Sequence, residues 1–219
     1  MVESPQSKVI CTRLHKVFND LRRHQFPFDE DALPENGIYV LFENGEHAHG
    51  GLDRIVRIGT HTGQGNLRQR LAEHFLTENK DRSIFRKNIG RALLKRKKDP
   101  FLAQWELDLT TKKRRQQYAG KIDYSRLKAV EKKVSKIIRE SFTFCVIRVV
   151  NKQRRLQLEA SMIATINQCS ACGPSRNWLG NHSPKKQIQE SGLWLVHHLN
   201  GQSMRIADAD KLENSIGRD

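Results

Sequence analysis

The stretch Gly37-Ile38-Tyr39-Val40-Leu41-Phe42, followed by Arg54-Ile55-Val56-Arg57-Ile58-Gly59, decides how this chain reads. The first run is short, apolar and rich in strand formers. The second alternates polar and apolar residues with the period of a strand. Residues 43–53 between them are rich in Gly, His and Asn, the composition of a turn or a long hairpin loop. Together the two runs predict a β-hairpin.

Working outward, residues 8–24 place Ile10, Leu14, Val17, Phe18 and Leu21 at helical spacing. After the hairpin, Gly63-Gln64-Gly65-Asn66 reads as a turn, with Asn66 as N-cap of a helix whose apolar face is Leu67, Leu71 and Phe75. A basic helix over 83–98, closed by Pro100, comes next, then a polar basic loop over 110–120. Residues 124–140 carry Leu127, Val130, Val134, Ile137 and Ile138 as an amphipathic helix. Residues 142–150 are dense in β-branched and aromatic residues and predict the strongest strand. A helix over 154–167 follows, then a Gly/Pro/Ser/Asn-rich irregular segment over 169–184 and a polar tail from Asp208 expected to fray. A hairpin early and a third strand late predict an α+β fold: a small central antiparallel three-stranded sheet flanked by helices, with a basic helical insertion.

Charge is unevenly placed. The net charge is +15, yet residues 80–155 hold 24 Lys/Arg against 7 Asp/Glu, and the rest of the chain is slightly acidic. A basic middle third attracts a polyanion, with nucleic acid the leading candidate. Aromatic residues make up only 7%, which argues against a stacking platform for single strands. No apolar run approaches the roughly 20 residues of a membrane span. The opening MVESPQSKVICTRL lacks the features of a signal peptide, so a cytoplasmic protein is expected. Of four cysteines, Cys145 falls in the late strand, and Cys169-x-x-Cys172 has the spacing of half a zinc site. A second half would have to come from Cys11, His182, His197 or His198, none at a recognisable ligand spacing. The pair is therefore read as reduced thiols at a helix end, and His47 and His49 as solvated loop residues.

The pairing of Asn36-Gly37-Ile38-Tyr39-Val40 with Val56-Arg57-Ile58-Gly59-Thr60 resembles the two signature strands of the GIY-YIG endonucleases. Asn66-Leu67-Arg68-Gln69-Arg70-Leu71-Ala72-Glu73-His74-Phe75 resembles that family's first catalytic helix, Leu158-Glu159-Ala160-Ser161 its glutamate-bearing helix, and Pro174-Ser175-Arg176-Asn177 its Pro-x-x-Asn. The resemblance implies a nuclease domain over 36–181 with an insertion at about 80–123, preceded by an N-terminal helix and linker over 1–35 and followed by an extension over 182–219. It implies hydrolysis of DNA phosphodiesters, with Glu159 as ligand to Mg²⁺, for which Mn²⁺ can substitute. The chain's size is similar to that of the restriction-enzyme branch, whose double-strand cutting implies a homodimer or tetramer, or sequential nicking. One position departs from the pattern: Arg57 stands where the second signature has tyrosine. Either the copy is an impaired DNA-binding module, or Arg57 and His61 take over the missing tasks. An RNA-directed nuclease stays open, because charge does not distinguish the polymers.

The chemistry suits these side chains. Arg70 is an always-ionised fork for phosphate oxygens. His74, one helical turn on, lies on the same face, where a neighbouring cation favours its neutral, proton-accepting form. Tyr39 is a candidate general base or water positioner, and Asn177, with Asn181 as competitor in the same loop, a phosphate or anchoring group. Arg82, Arg86, Lys87, Arg91 and Lys95 on the basic helix are expected to track the DNA backbone.

Overall fold

A computed structural model of the chain describes residues 5–216. In chain order, α1 (Pro5–Asp20) leads to a short strand β1 (His24–Gln25) and the hairpin β2 (Gly37–Ala48) and β3 (Leu52–Gly59). Then come α2 (Leu67–Phe75), α3 (Ile84–Arg96), α4 (Leu102–Glu106), α5 (Lys112–Gln117) and α6 (Tyr124–Ser141). The late strand β4 (Phe142–Arg148), α7 (Lys152–Asn167), α8 (Lys186–Ser191) and α9 (Ile206–Ile216) complete the chain.

The α+β prediction holds, with one correction to the sheet. It is antiparallel but has four strands, in the order β1-β4-β2-β3. The added edge strand is two residues long, pairing His24 with Phe144 and Gln25 with Thr143, too short to leave a periodic signal. Three further expectations change. β2 runs on to Ala48, so the long hairpin loop is a tight turn at His49-Gly50. The basic loop over 110–120 contains α5, capped by Thr111, whose side chain accepts from the Arg114 N–H. The tail is helical over the described residues 208–216, and α9 docks on α1 through Arg13, which meets Glu213 at 2.8 Å and Asp210 at 2.6 Å. Asn66 precedes α2 without making a side-chain capping bond.

Side chains alternate across β2 and divide the core into two layers. Ile38, Val40 and Phe42 pack with Leu14 and Phe18 of α1, Met162 and Ile163 of α7 and Leu212 of α9. Tyr39 and Leu41 face the other way, onto Leu71 and Phe75 of α2, Phe85 and Ile89 of α3 and Val134 of α6. Gly37 is required by its neighbour in the sheet: a Cβ there would stand 2.2 Å from the Ile147 carbonyl oxygen on β4.

Candidate active site

The site is built on the Tyr39 side of the sheet. In the hairpin register Tyr39 pairs with Gly59. The ring of Tyr39 lies directly over that glycine: a Cβ on Gly59 would be 2.2 Å from the phenol oxygen. The glycine of the second signature is thus the space that the tyrosine of the first one fills. The phenol oxygen is 2.8 Å from His74 Nε2, and His74 Nδ1 is 2.7 Å from the Ser83 hydroxyl. His74 is fully buried, and its pKa is held well below the usual imidazole range, first by burial and then by Arg70, Arg57 and Arg86. It is therefore neutral, and its Nε2 faces the Tyr39 hydroxyl as a hydrogen-bond partner.

Arg57, in place of the expected tyrosine, is 6% exposed and spans two partners. Its Nε donates to the Tyr39 oxygen at 3.4 Å, and Nη1 donates to the Trp194 carbonyl. Tyr39 itself is 1% exposed. His61 is likewise committed: Nδ1 lies 2.6 Å from the Gly63 carbonyl, and Nε2 accepts the Gly37 N–H at 3.3 Å. Burial lowers its pKa, so it stays neutral in this clamp.

Arg70 lies on a cleft of about 320 Å³ bordered by Thr60, His61, Asn66, Gln69 and Glu73. It donates to Glu73 at 3.1 Å and to the Arg82 carbonyl at 3.0 Å. Glu159, on α7, is joined to one residue of this cleft, accepting the Thr60 N–H at 3.1 Å. Thr60 in turn donates its hydroxyl to the Gly37 carbonyl at 2.7 Å, tying the ends of both signature strands together. Among the described residues Glu159 makes no ion pair of 4 Å or less. Burial raises its pKa, while Arg57, His198 and Arg70 pull it down. A half-buried carboxylate with one hydrogen bond and no direct ion pair fits a hard divalent cation that keeps most of its waters. The larger cleft, about 680 Å³ between α7 and the segment before α9, contains none of these groups.

Asn177 does not join them. It is exposed and makes no side-chain hydrogen bond among the described residues, in a loop held by Ser175 donating to Glu46. Asn181 closes that loop on itself, donating to the Ser175 and Arg176 carbonyls at 2.9 and 3.1 Å. Residues that sequence reasoning passed over include Ser83, Thr60 and Glu73. Only Glu73 carried a signal, its i,i+3 spacing from Arg70.

Glu43 is a further find. Its carboxylate accepts from the indole N–H groups of Trp178 at 2.7 Å and Trp194 at 2.8 Å, anchoring the C-terminal segment on the sheet. Burial pushes its pKa from 4.5 up to about 7, against the pull of both indoles. The folded state therefore holds this proton more tightly, and the group's contribution to stability falls as pH rises from about 4.5 to about 7. Glu43→Gln keeps an acceptor for both indoles and removes the ionisation. We expect it to exceed the wild type at pH 8 by about 1–3 kcal/mol and to match it near pH 4.5, measured by urea unfolding. Parallel pH curves for the two proteins would refute this.

The basic helix needs correction. Arg82 and Lys95 are exposed. Arg86 is fully buried against Glu131, at 2.7 Å, and Arg91 grips Glu106 at 2.7 and 2.6 Å. Lys87 leans inward to the Glu106 carbonyl at 3.1 Å, where burial lowers its pKa. α3 is packed on most of its circumference, so its arginines serve acids from α4 and α6. The outward basic surface is instead Lys95–Lys98, the four cations Lys112–Arg115, and Lys128, Lys132, Lys133 and Lys136 of α6.

A separate group of ligating side chains lies on the opposite side of the sheet. Atoms of Cys11, His15, His49 and Cys172 all lie within 4.8 Å of one another. This corrects the reading of His49 as a solvated loop residue.

The fold and this arrangement of Tyr39, Gly59, Arg70, His74 and Glu159 define a class. The family model for the GIY-YIG domain matches residues 9–218, and the chain belongs to the GIY-YIG family. Membership brings nuclease chemistry on DNA and typical dependence on a divalent metal. No curated protein and no solved structure matches the chain. No helix among the described residues is long and apolar enough to cross a membrane.

Proposed function

We propose that this protein is an endonuclease that hydrolyses DNA phosphodiester bonds with Mg²⁺, or Mn²⁺ in its place, held through Glu159. One observation carries the reading: Tyr39 Oη stands 2.8 Å from His74 Nε2 and 3.4 Å from Arg57 Nε, while Thr60, which binds Glu159 at 3.1 Å, borders the same cleft as Arg70.

Each residue has a distinct task. Arg70, at the cleft, takes the phosphate oxygens and neutralises charge that develops on them. To do so it exchanges its bonds to Glu73 and the Arg82 carbonyl for the substrate. Bound phosphate offsets the cations that hold the His74 pKa down, and His74 then accepts the Tyr39 proton through Nε2, leaving a phenolate that Arg57 stabilises. Tyr39 and His74 orient and deprotonate the attacking water once Arg57 yields access. Arg57 acts through Tyr39 and is a positioning residue. His61 fixes the loop that closes the cleft, and Asn177 reaches the site only if its loop moves onto the bound DNA. When bound, the metal supplies Lewis-acid polarisation of the phosphate. The exposed lysines of α5, α6 and the end of α3, with Arg82, follow the duplex backbone without reading sequence.

The family resemblance extends this proposal to a site-specific restriction role, for which double-strand cutting would use a dimer or tetramer, or sequential nicking. A second reading rests on Arg57 itself, whose grip on the Trp194 carbonyl closes over Tyr39: a DNA-binding module with impaired chemistry. Supercoiled plasmid and structured RNA, each incubated with the purified chain and Mg²⁺, separate the readings. Nicked plasmid and intact RNA are expected. Binding should weaken with salt at a log–log slope of about −0.9 per phosphate neutralised. Binding without nicking would favour the impaired module, and cleaved RNA with intact plasmid would reassign the substrate.

A further inference from the structure

We propose that the chain holds one Zn²⁺ ion as a structural centre on the α1–α7 side of the sheet, through Cys11, Cys169, Cys172 and His49. Cys11 Sγ and Cys172 Sγ are 3.3 Å apart. His49 Nε2 is 3.0 Å from Cys172 Sγ and 3.8 Å from Cys169 Sγ. Tetrahedral zinc, with bonds of about 2.3 Å to sulfur and 2.0–2.1 Å to nitrogen, sets its ligand atoms about 3.5–3.8 Å apart. These three separations bracket the spacing that such an ion imposes, and Cys11, His49 and Cys172 all lie within 4.8 Å of one another. All four cysteines of the chain are free thiols.

His15 belongs to the same cluster, yet its ring is already used. Nδ1 lies 2.9 Å from the Cys11 carbonyl, and Nε2 accepts the Ile55 N–H at 3.2 Å. His49 differs. Its Nδ1 is 2.9 Å from the Thr12 hydroxyl, whose own proton goes to the Lys8 carbonyl at 2.9 Å. Thr12 must therefore accept from Nδ1–H, which leaves the Nε2 lone pair pointing at the thiols. A hydrogen-bonded outer nitrogen is the usual arrangement of a metal-bound histidine.

The backbone supports the assignment. His49 and Gly50 have φ of +47° and +81°, and the Gly51 N–H returns to the Ala48 carbonyl at 3.2 Å. This is a turn with two left-handed central residues, where Asn or Gly is the ordinary first choice. Histidine accepts the strain here and thereby delivers its ring to the cysteines.

Three thiols and an imidazole suit zinc rather than the hard cation expected at Glu159. The ion would fasten α1, the hairpin turn and the segment after α7. That segment leads into the Pro174–Asn177 loop.

The test uses the full chain purified under reducing conditions without chelator. Elemental analysis should find one zinc per chain, and Co²⁺ exchanged for it should show tetrahedral visible bands with a sulfur-to-cobalt charge-transfer band. Cys172→Ser should lose the metal. His49→Asn, which tolerates the left-handed backbone, should weaken zinc binding at least tenfold, while Cys145→Ala and His15→Gln should retain it. Chelation should lower the melting temperature, and Zn²⁺ but not Mg²⁺ should restore it. A zinc-free chain whose melting ignores added zinc, a cobalt spectrum without the thiolate band, or a Cys11–Cys172 disulfide in place of metal would overturn the proposal. If the variants do not fold, the wild-type cobalt spectrum decides alone. None of these readouts depends on nuclease activity.

Discussion

Glu159→Ala should slow DNA cleavage by at least about 10³-fold, a loss of several kcal/mol of transition-state stabilisation, while DNA affinity holds or tightens slightly. The asymmetry follows from position. Glu159 lies half-buried against the Thr60 N–H and makes no ion pair of 4 Å or less among the described residues. It bears a charge that repels phosphate, and a bound cation would turn that charge to use. Removing it discards the metal, not a backbone contact. Glu159→Gln should behave like the alanine variant, because the amide retains the Thr60 hydrogen bond but not the charge. Single-turnover cleavage and fluorescence anisotropy separate the two effects. A loss of binding equal to the loss of rate would make Glu159 a contact residue instead.

Arg86→Ala should destabilise the fold by about 3–5 kcal/mol, the cost of leaving a buried acid unpaired. The guanidinium donates to Glu131 at 2.7 Å, to Ser135 at 2.8 Å and to the His74 carbonyl at 3.1 Å, so it joins α2, α3 and α6. Against a typical stability of about 5–15 kcal/mol, such a loss lowers the urea midpoint sharply. The double change Arg86→Met with Glu131→Leu should recover most of the loss, since it removes both charges together. A single variant within about 1 kcal/mol of wild type would mean that the pair is not the joint between these helices. The folded fraction of Arg86→Ala should retain the wild-type salt slope for DNA, because this side chain does not face solvent.

What could be read from residue order divides along physical lines. The hairpin was legible because strand period and two glycines coincide, and the structure explains both glycines through close approaches at Ile147 and Tyr39. The continuation of β2 to Ala48 was not, because it contains Glu46, a buried acid that looks like a loop residue until Arg54 of β3 meets it at 2.6 Å. α5 buries no side chain and so has no apolar period to detect. Arg86 and Arg91 resembled phosphate contacts because their partners, Glu131 and Glu106, lie 45 and 15 residues onward, where a local charge count does not connect them. The same separation hid the metal cluster: His49 and Cys172 are 123 residues apart. The Tyr39, Arg70, His74 and Glu159 group emerged only through resemblance to a family pattern, since no single local signal marks it.

The central claim is that Arg70 and Glu159 act on one phosphate and its ion. A double-variant cycle in single-turnover plasmid nicking with Mg²⁺, at matched DNA occupancy, measures this most directly. If the two form one centre, Arg70→Ala and Glu159→Ala each abolish most of the rate, and the double variant is scarcely slower than the worse single one. If the two losses multiply, or if Glu159→Ala nicks as fast as wild type, the single-centre account is wrong.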